Sequence, residues 1–252
     1  MERFLGQFCF KPELAGWVGV ERERFLWNGR RPVPEAASFL AQIADPAWTH
    51  ELSACQVEDR TAPHRDLYEI RLNLLQNNNL GNSVAWSLGR HLVACEVAPA
   101  DMLLDTWSDP RYDRIVQTMS QEKLLAACRV AGTHIHLGTR CIEEAIVVHN
   151  ALATNLERLS RLGDHSRGER LRLYQVVAEH SQPPQYENQD HLFQVAKQEG
   201  FDSESRNCWH LVRITHHGTV ECRMFGTTLY PDEILDWISA VRLIARQEGG
   251  LR

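Results

Sequence analysis

The chain of 252 residues is long enough to bury a full hydrophobic core. Its 43% hydrophobic and 24% charged residues exclude a disordered, fibrous or membrane-embedded protein. A formal net charge of −6 with a pI near 6.1 argues against a nucleic-acid partner, which would call for a basic face.

Read in chain order, a strand is expected over Gly16 to Phe25, followed by a turn at Asn28-Gly29. Pro32 to Pro34 leads into a short helix whose Phe39, Leu40 and Ile43 share a face. A second strand is expected within Leu52 to Glu58. A long helical stretch then runs from about Arg65 to Leu92, with Asn77 to Gly81 as an interruption. Pro110 to Met119 reads as helix and Val130 to Gly138 as strand. Ile142 to Leu162 is the clearest amphipathic helix, with Ile142, Ile146, His149, Leu152, Leu156 and Leu159 at helical spacing and Gly163 to close it. Shorter helices are expected over Arg167 to Glu179 and Asp190 to Gln198. Two strands, Trp209 to Ile214 and Thr219 to Phe225, flank a His217-Gly218 turn. A last helix opens at Pro231-Asp232-Glu233, with proline and acids in its first turn. The order is α+β with an antiparallel sheet, and residues 1–252 read as a single domain.

Compartment follows from what is missing. The seven cysteines are scattered, odd in number and never in a CxxC pair, as in a reducing cytosol. No charged and apolar leader opens the chain, and no apolar run reaches the roughly 18 residues that span a bilayer. A cytoplasmic protein without a membrane partner is the expectation. Only Lys11, Lys123 and Lys197 are lysines among 27 basic residues; the arginines that make up the rest suit carboxylates and phosphates, although a codon bias gives the same excess.

Strand alternation assigns each polar group a side. In Val18-Gly19-Val20-Glu21-Arg22-Glu23 both acids share a face, with Val18 and Val20 opposite. In Thr133-His134-Ile135-His136-Leu137 the two histidines share a face, and in Thr219-Val220-Glu221-Cys222-Arg223-Met224 so do Glu221 and Arg223. Alone, a Glu-x-Glu is usually the wet face of a sheet and a Glu-x-Arg a surface ion pair. Together they describe a sheet with one side under helices and the other lining a cleft. Acids gathered there repel unless cations neutralise them, and carboxylates with one or two imidazoles suit Mg²⁺ or Mn²⁺, which in turn grip phosphate.

These motifs, in this order, resemble the glutamate–cysteine ligase family, most closely its type 2 carboxylate–amine ligases and the related amidoligases. The resemblance rests on Gly19-Val20-Glu21-Arg22-Glu23, Gln56-Val57-Glu58, Asp109-Pro110-Arg111-Tyr112, Gly132 to Gly138, Trp209 to Arg213, Gly218 to Arg223 and Phe225 to Ile234. It implies a glutamine-synthetase-like catalytic fold, a curved antiparallel sheet with helices on one face and an open active-site face. It also implies an ATP- and Mg²⁺-dependent ligase that joins a small, amino acid-like carboxylate to an amine through an acyl phosphate. Carried over, Glu21, Glu23, Glu58, His134 and Glu221 would be metal ligands. Arg223, with Glu221, would be catalytic, and Arg223, Arg213 and His136 would hold ATP. Glu51 would be a further ligand; its odd offset of seven from Glu58 requires a break or bulge between them.

The chain departs from the family in being shorter. It carries Cys95-Glu96-Val97-Ala98-Pro99 near the place of a Thr-His-Pro segment, and Ala131 where amidoligases have a cysteine. The resemblance therefore leaves the acid and amine open. Family members are often oligomeric, so a homo-oligomer is an allowed state. Two alternatives compete: a zinc hydrolase using His134 and His136, and a degenerate, non-catalytic relative that binds a small anion.

Overall fold

The computed structural model describes residues 1–251. In chain order its elements are α1 (Glu2–Leu5), β1 (Val18–Trp27), α2 (Ala36–Ile43), β2 (Trp48–His50), β3 (Gln56–Arg60), α3 (Leu67–Ser87), β4 (His91–Val93), α4 (Pro110–Thr118) and α5 (Gln121–Arg129). They continue with β5 (Gly132–Gly138), α6 (Ile142–Thr154), α7 (Leu156–Gly163), α8 (Glu169–Val177), α9 (Gln189–Glu199), β6 (Val212–Ile214), β7 (Thr219–Gly226) and α10 (Pro231–Gln247).

The strands form one sheet in the order β2-β3-β1-β5-β7-β6, with β4 paired to the far end of β1, and every pairing is antiparallel. The α+β class and the open antiparallel sheet are as expected. Apolar residues of the central strands (Val18, Val20, Ile135, Leu137, Val220 and Cys222) bury against α3, α6, α7, α9 and α10 in the main core. Trp237 of α10 stacks on Phe225 of β7 at 5.1 Å, and only glycine fits at position 163, because a Cβ there would lie 2.5 Å from the Phe225 ring. Replacing Trp237 by alanine would cost about 3–5 kcal/mol. A second core, with Leu26, Phe39, Trp48, Val57 and Leu92, sits under α2 and α3.

Four local readings change. The strand expected within Leu52 to Glu58 is β3, which begins only at Gln56, and a further strand that was not expected, β2, precedes it across the segment 51–55. The interruption expected at Asn77 to Gly81 is absent, and α3 runs through it. Tertiary contacts override propensity there: Asn77 and Asn78 bind buried charges, and a Cβ on Gly81 would lie 2.4 Å from Trp48. The helix expected over Ile142 to Leu162 breaks into α6 and α7 at Asn155, whose side chain donates to the Ala151 carbonyl and to Glu248. Of Trp209 to Ile214, only Val212–Ile214 pairs as a strand.

The core face of β1 is not wholly apolar. Alternation carries Arg22 and Arg24 to the side of Val18 and Val20, where both are fully buried. Asp59 of β3 accepts from Arg22 at 2.7 Å and from Arg24 at 2.5 Å. Asn78 Oδ1 accepts from both guanidinium groups, and Asn77 Nδ2 donates to Asp59. This network ties β1, β3 and α3 together directly behind the cleft.

Candidate active site

The open face of the sheet floors a cavity of about 560 Å³. Register explains its contents. Glu23 of β1 pairs with Glu58 of β3, and Glu21 with His134 of β5. His136 pairs with Glu221 of β7, which pairs with Arg213 of β6. Between Thr133 and Ile135 the β5–β7 register slips by one residue, a bulge that buries both Met224 and Phe225. Glu51 is the first residue after β2, so the break required by its odd offset is present and its side chain reaches the cavity.

Glu21, Glu23, Glu51, Glu58, His134, His136, Arg213, Glu221 and Arg223 all line this one cavity. His134 Nδ1 lies 3.5 Å from Glu21 and 3.6 Å from Glu221, and its Nε2 lies 3.6 Å from Glu23. Two groupings, Glu21–His134–Glu221 and Glu23–Glu58–His134, bring their donor atoms within 4.8 Å of one another. Neutral imidazole has one lone-pair nitrogen, so His134 can serve one grouping at a time.

The acids are not equivalent. Burial would raise Glu221, but Arg213 at 2.6 Å and Arg223 at 2.5 Å hold it well below the usual carboxylate range. Burial likewise opposes ionisation of Glu21, and the His136 and His134 imidazoles outweigh it. Glu58 has only Arg60, at 3.8 Å, and burial first, then Glu21, Glu51 and Glu23, push it well up. Burial also raises Glu51, with Glu21 adding to it, and raises Glu23, which accepts the Gly132 N–H at 2.7 Å. Burial lowers His134, helped by Arg223. On His136 the Glu21 and Glu221 carboxylates outweigh burial and raise it.

Buried carboxylates crowded together, three of them pushed up by burial, are a donor set suited to a hard cation. Oxygen donors with one imidazole per grouping match Mg²⁺ or Mn²⁺ better than zinc, and no cysteine lines the cavity among the described residues.

Some lining residues had no sequence signal. Arg170 of α8 is buried and donates to the carbonyls of Ala131, Met224 and Arg223. A Cβ on Gly132 would lie 1.9 Å from its Nη2, so the glycine that opens the histidine motif was the one available clue. Tyr174, four residues on, accepts from Arg223 Nε at 3.3 Å. At the opposite wall Asp109 caps α4 and contacts His50 at 3.0 Å, with Trp107 packed on that imidazole at 4.4 Å. Arg213 spends its guanidinium on Glu221 and the Cys208 carbonyl.

Comparison with known proteins points the same way. The model of glutamate–cysteine ligase family 2 matches residues 17–156, more than half of the chain. A Frankia casuarinae protein provisionally named glutamate–cysteine ligase 2-2 is 31% identical over 141 residues, 53% of this chain and 16% of that relative. A Paenarthrobacter aurescens protein provisionally named glutamate–cysteine ligase 2-3 is 26% identical over 62% of this chain and 38% of its own length. The chain thus spans well under two thirds of these relatives. A crystal structure of a bifunctional glutathione synthetase from Pasteurella multocida is similar in fold, with a TM-score of 0.53 at 13% identity over 98% of this chain and 43% of that one.

Proposed function

This chain belongs to glutamate–cysteine ligase family 2, and from that premise we propose that it is an ATP- and Mg²⁺-dependent ligase joining a small, amino acid-like carboxylate to an amine. The reading treats the chain as one catalytic domain acting on small molecules through an acyl phosphate. A cytoplasmic setting fits its seven free cysteines. The observation that carries the proposal is the convergence of Glu21, Glu23, Glu51, Glu58, His134 and Glu221 on one cavity beside Arg223.

When bound, Mg²⁺ or Mn²⁺ would neutralise these acids and draw phosphate oxygens to them. Glu21, Glu23, Glu58, His134 and Glu221 would hold it, with Glu51 as a further oxygen donor. The chain's own contribution is positioning and charge, as phosphoryl transfer requires. Arg213 and Arg223 fix both Glu221 oxygens, and the Gly132 N–H fixes Glu23. Arg223 keeps N–H donors free of carboxylate and would contact phosphate as charge develops. Ile115, Ala127, Val130, Tyr174, Val177 and Trp209 form an apolar wall that would shield an acyl phosphate from water.

The zinc alternative is the weaker one, because each donor grouping offers a single imidazole with two carboxylates. The test is thermal stability with ATP, with Mg²⁺ and with both, then phosphate release over a panel of acids and amines. Stabilisation that needs both ligands supports the ligase. Zinc that co-purifies, with no nucleotide effect, replaces it by the hydrolase.

A further inference from the structure

The open face of the sheet carries the site; the other face lies under helices whose outer surface has a charge pattern that packing does not explain. On α10 the core takes Ile234, Trp237, Ile238, Val241, Ile244 and Ala245. The stripe left to solvent is Asp232, Asp236, Ser239, Leu243 and Arg246, at steps of four, three, four and three. Leu243 is 47% exposed on it, and Leu235 is half-buried along its edge. An apolar residue in the open, between charges of opposite sign, is the composition of an unfilled contact.

The two ends of the stripe differ in sign. At the start of α10, Asp232, Glu233 and Asp236 line a second cavity, of about 960 Å³, together with Glu96 and Glu169. Arg71 holds Asp232, Arg129 holds Glu169, and His165 lies between Glu96 and Glu233. Asp236 has no partner among the described residues. At the far end, Arg242 donates to the Gly16 and His64 carbonyls, Arg65 follows His64, and Arg246 is one turn past Arg242. Burial first, then Arg246 and Arg65, lower Arg242. The acid nearby, Asp66, accepts the Tyr68 N–H as the cap of α3. Arg65 and Arg246 have no carboxylate partner among the described residues.

An acidic hollow at one end of a helix and free arginines at the other complement each other only across two molecules. We propose that two copies of this chain pair through α10, antiparallel about a two-fold axis at Ser239. Asp232 and Arg246 lie seven residues to either side of Ser239, so the axis sets each against the other and Leu235 against Leu243. Asp236, one turn in from Asp232, shares the same guanidinium. A parallel pair would bring arginine to arginine, whereas the antiparallel one also opposes the helix dipoles. Each copy carries −6, and acid meeting arginine at both ends offsets that repulsion. A helix of 17 residues is about 25 Å long, too narrow a strip for the roughly 800 Å² per copy of a stable dimer. Its flanks widen it. Arg71 reaches Asp232, which puts Tyr68, one turn earlier on α3 and 61% exposed, beside the stripe, and Tyr230, 74% exposed, stands at its start. The cavity with the acid cluster lies across the sheet and stays open in the pair.

The test is sedimentation of the whole chain and its Asp236→Arg and Arg246→Glu variants, each alone and in equal mixture. The unaltered chain should dimerise, more weakly as salt rises. Either substitution should weaken the dimer by about a hundredfold, because the two-fold axis repeats each like-charge contact. The equal mixture should dimerise again, since one contact of the mixed pair is reversed in full and the other is unaltered. Urea midpoints of both variants should match the parent, as these side chains have no partner within the chain, so loss of pairing is separable from loss of fold. A chain that stays monomeric at about 100 µM overturns the proposal, as does a dimer that survives both substitutions. Variants that remain apart when mixed overturn it too. A mass that keeps growing with concentration replaces the closed pair by an open, head-to-tail contact.

Discussion

Both faces of strands β1 and β3 carry buried charged residues, with opposite outcomes. Behind the sheet, Arg22, Arg24 and Asp59 are fully buried and answer one another, with Asn77 and Asn78 taking up remaining donors and acceptors. In front, one residue away along each strand, Glu21 is answered by His134 and His136, but Glu58 faces the cavity with Glu21, Glu51 and Glu23 for neighbours. Behind the sheet every charge has an opposite charge within the chain, with only Arg24 Nε left without a partner, whereas in front Glu58 is left among other acids. Buried charge alone therefore says little about function; what matters is whether the protein itself supplies the partner.

The largest expected effect breaks the back network. Asp59→Asn leaves two buried guanidinium groups without their carboxylate and should cost about 3–5 kcal/mol in urea unfolding. Replacing Arg22, Asp59 and Arg24 together by Met, Leu and Met should restore most of that loss, as a well-packed apolar set can. If Asp59→Asn unfolds at the unaltered midpoint, the network is not structural and the contrast between the faces fails.

Next comes the front, read through turnover. Arg223→Lys retains a cation but loses the fork that binds Glu221 and Tyr174, so kcat/KM should drop by about ten- to a hundredfold. Stability should fall by less than in Asp59→Asn, since Lys still places a cation at Glu221 and Arg213 holds its other oxygen. Near-normal kinetics would remove Arg223 from the chemistry. Equal loss of activity and stability would make it a second structural arginine, erasing the distinction.

Much of this contrast was legible in the sequence. Strand alternation placed Glu21, Glu23, His134, His136, Glu221 and Arg223 on one face, because side chains must point alternately. The same alternation already carried Arg22 and Arg24 to the core face. It could not say that Asp59 and Asn78 would meet them, since those partners lie in other elements. The Asn77 to Gly81 run looked like a helix interruption for the same reason: its polar side chains are spent on tertiary contacts that propensity cannot see. Arg170 had no periodic signal, because one arginine on a helix takes its role only once the helix is docked over Gly132.

The smallest effect is the sharpest, because the two faces should respond to pH with opposite sign. Glu58 is raised by burial and by Glu21, Glu51 and Glu23. The stability linked to it is full below the ordinary carboxylate range of about 4 and is lost as pH rises through its elevated folded value. Burial opposes ionisation of Asp59 too, but Arg22 and Arg24 win and lower it. Its contribution is present above about 4 and is lost as pH falls through its depressed folded value. Glu58→Gln should therefore stabilise the ligand-free chain by about 1 kcal/mol at about pH 8 and by less at about pH 5. Adding Mg²⁺ should recover stability at the higher pH in the unaltered chain and do so only weakly in Glu58→Gln. A variant that loses stability with rising pH as steeply as the parent would show that Glu58 is already satisfied inside the protein. It would then belong with the back face, and the front would lose its claim to be waiting for a cation.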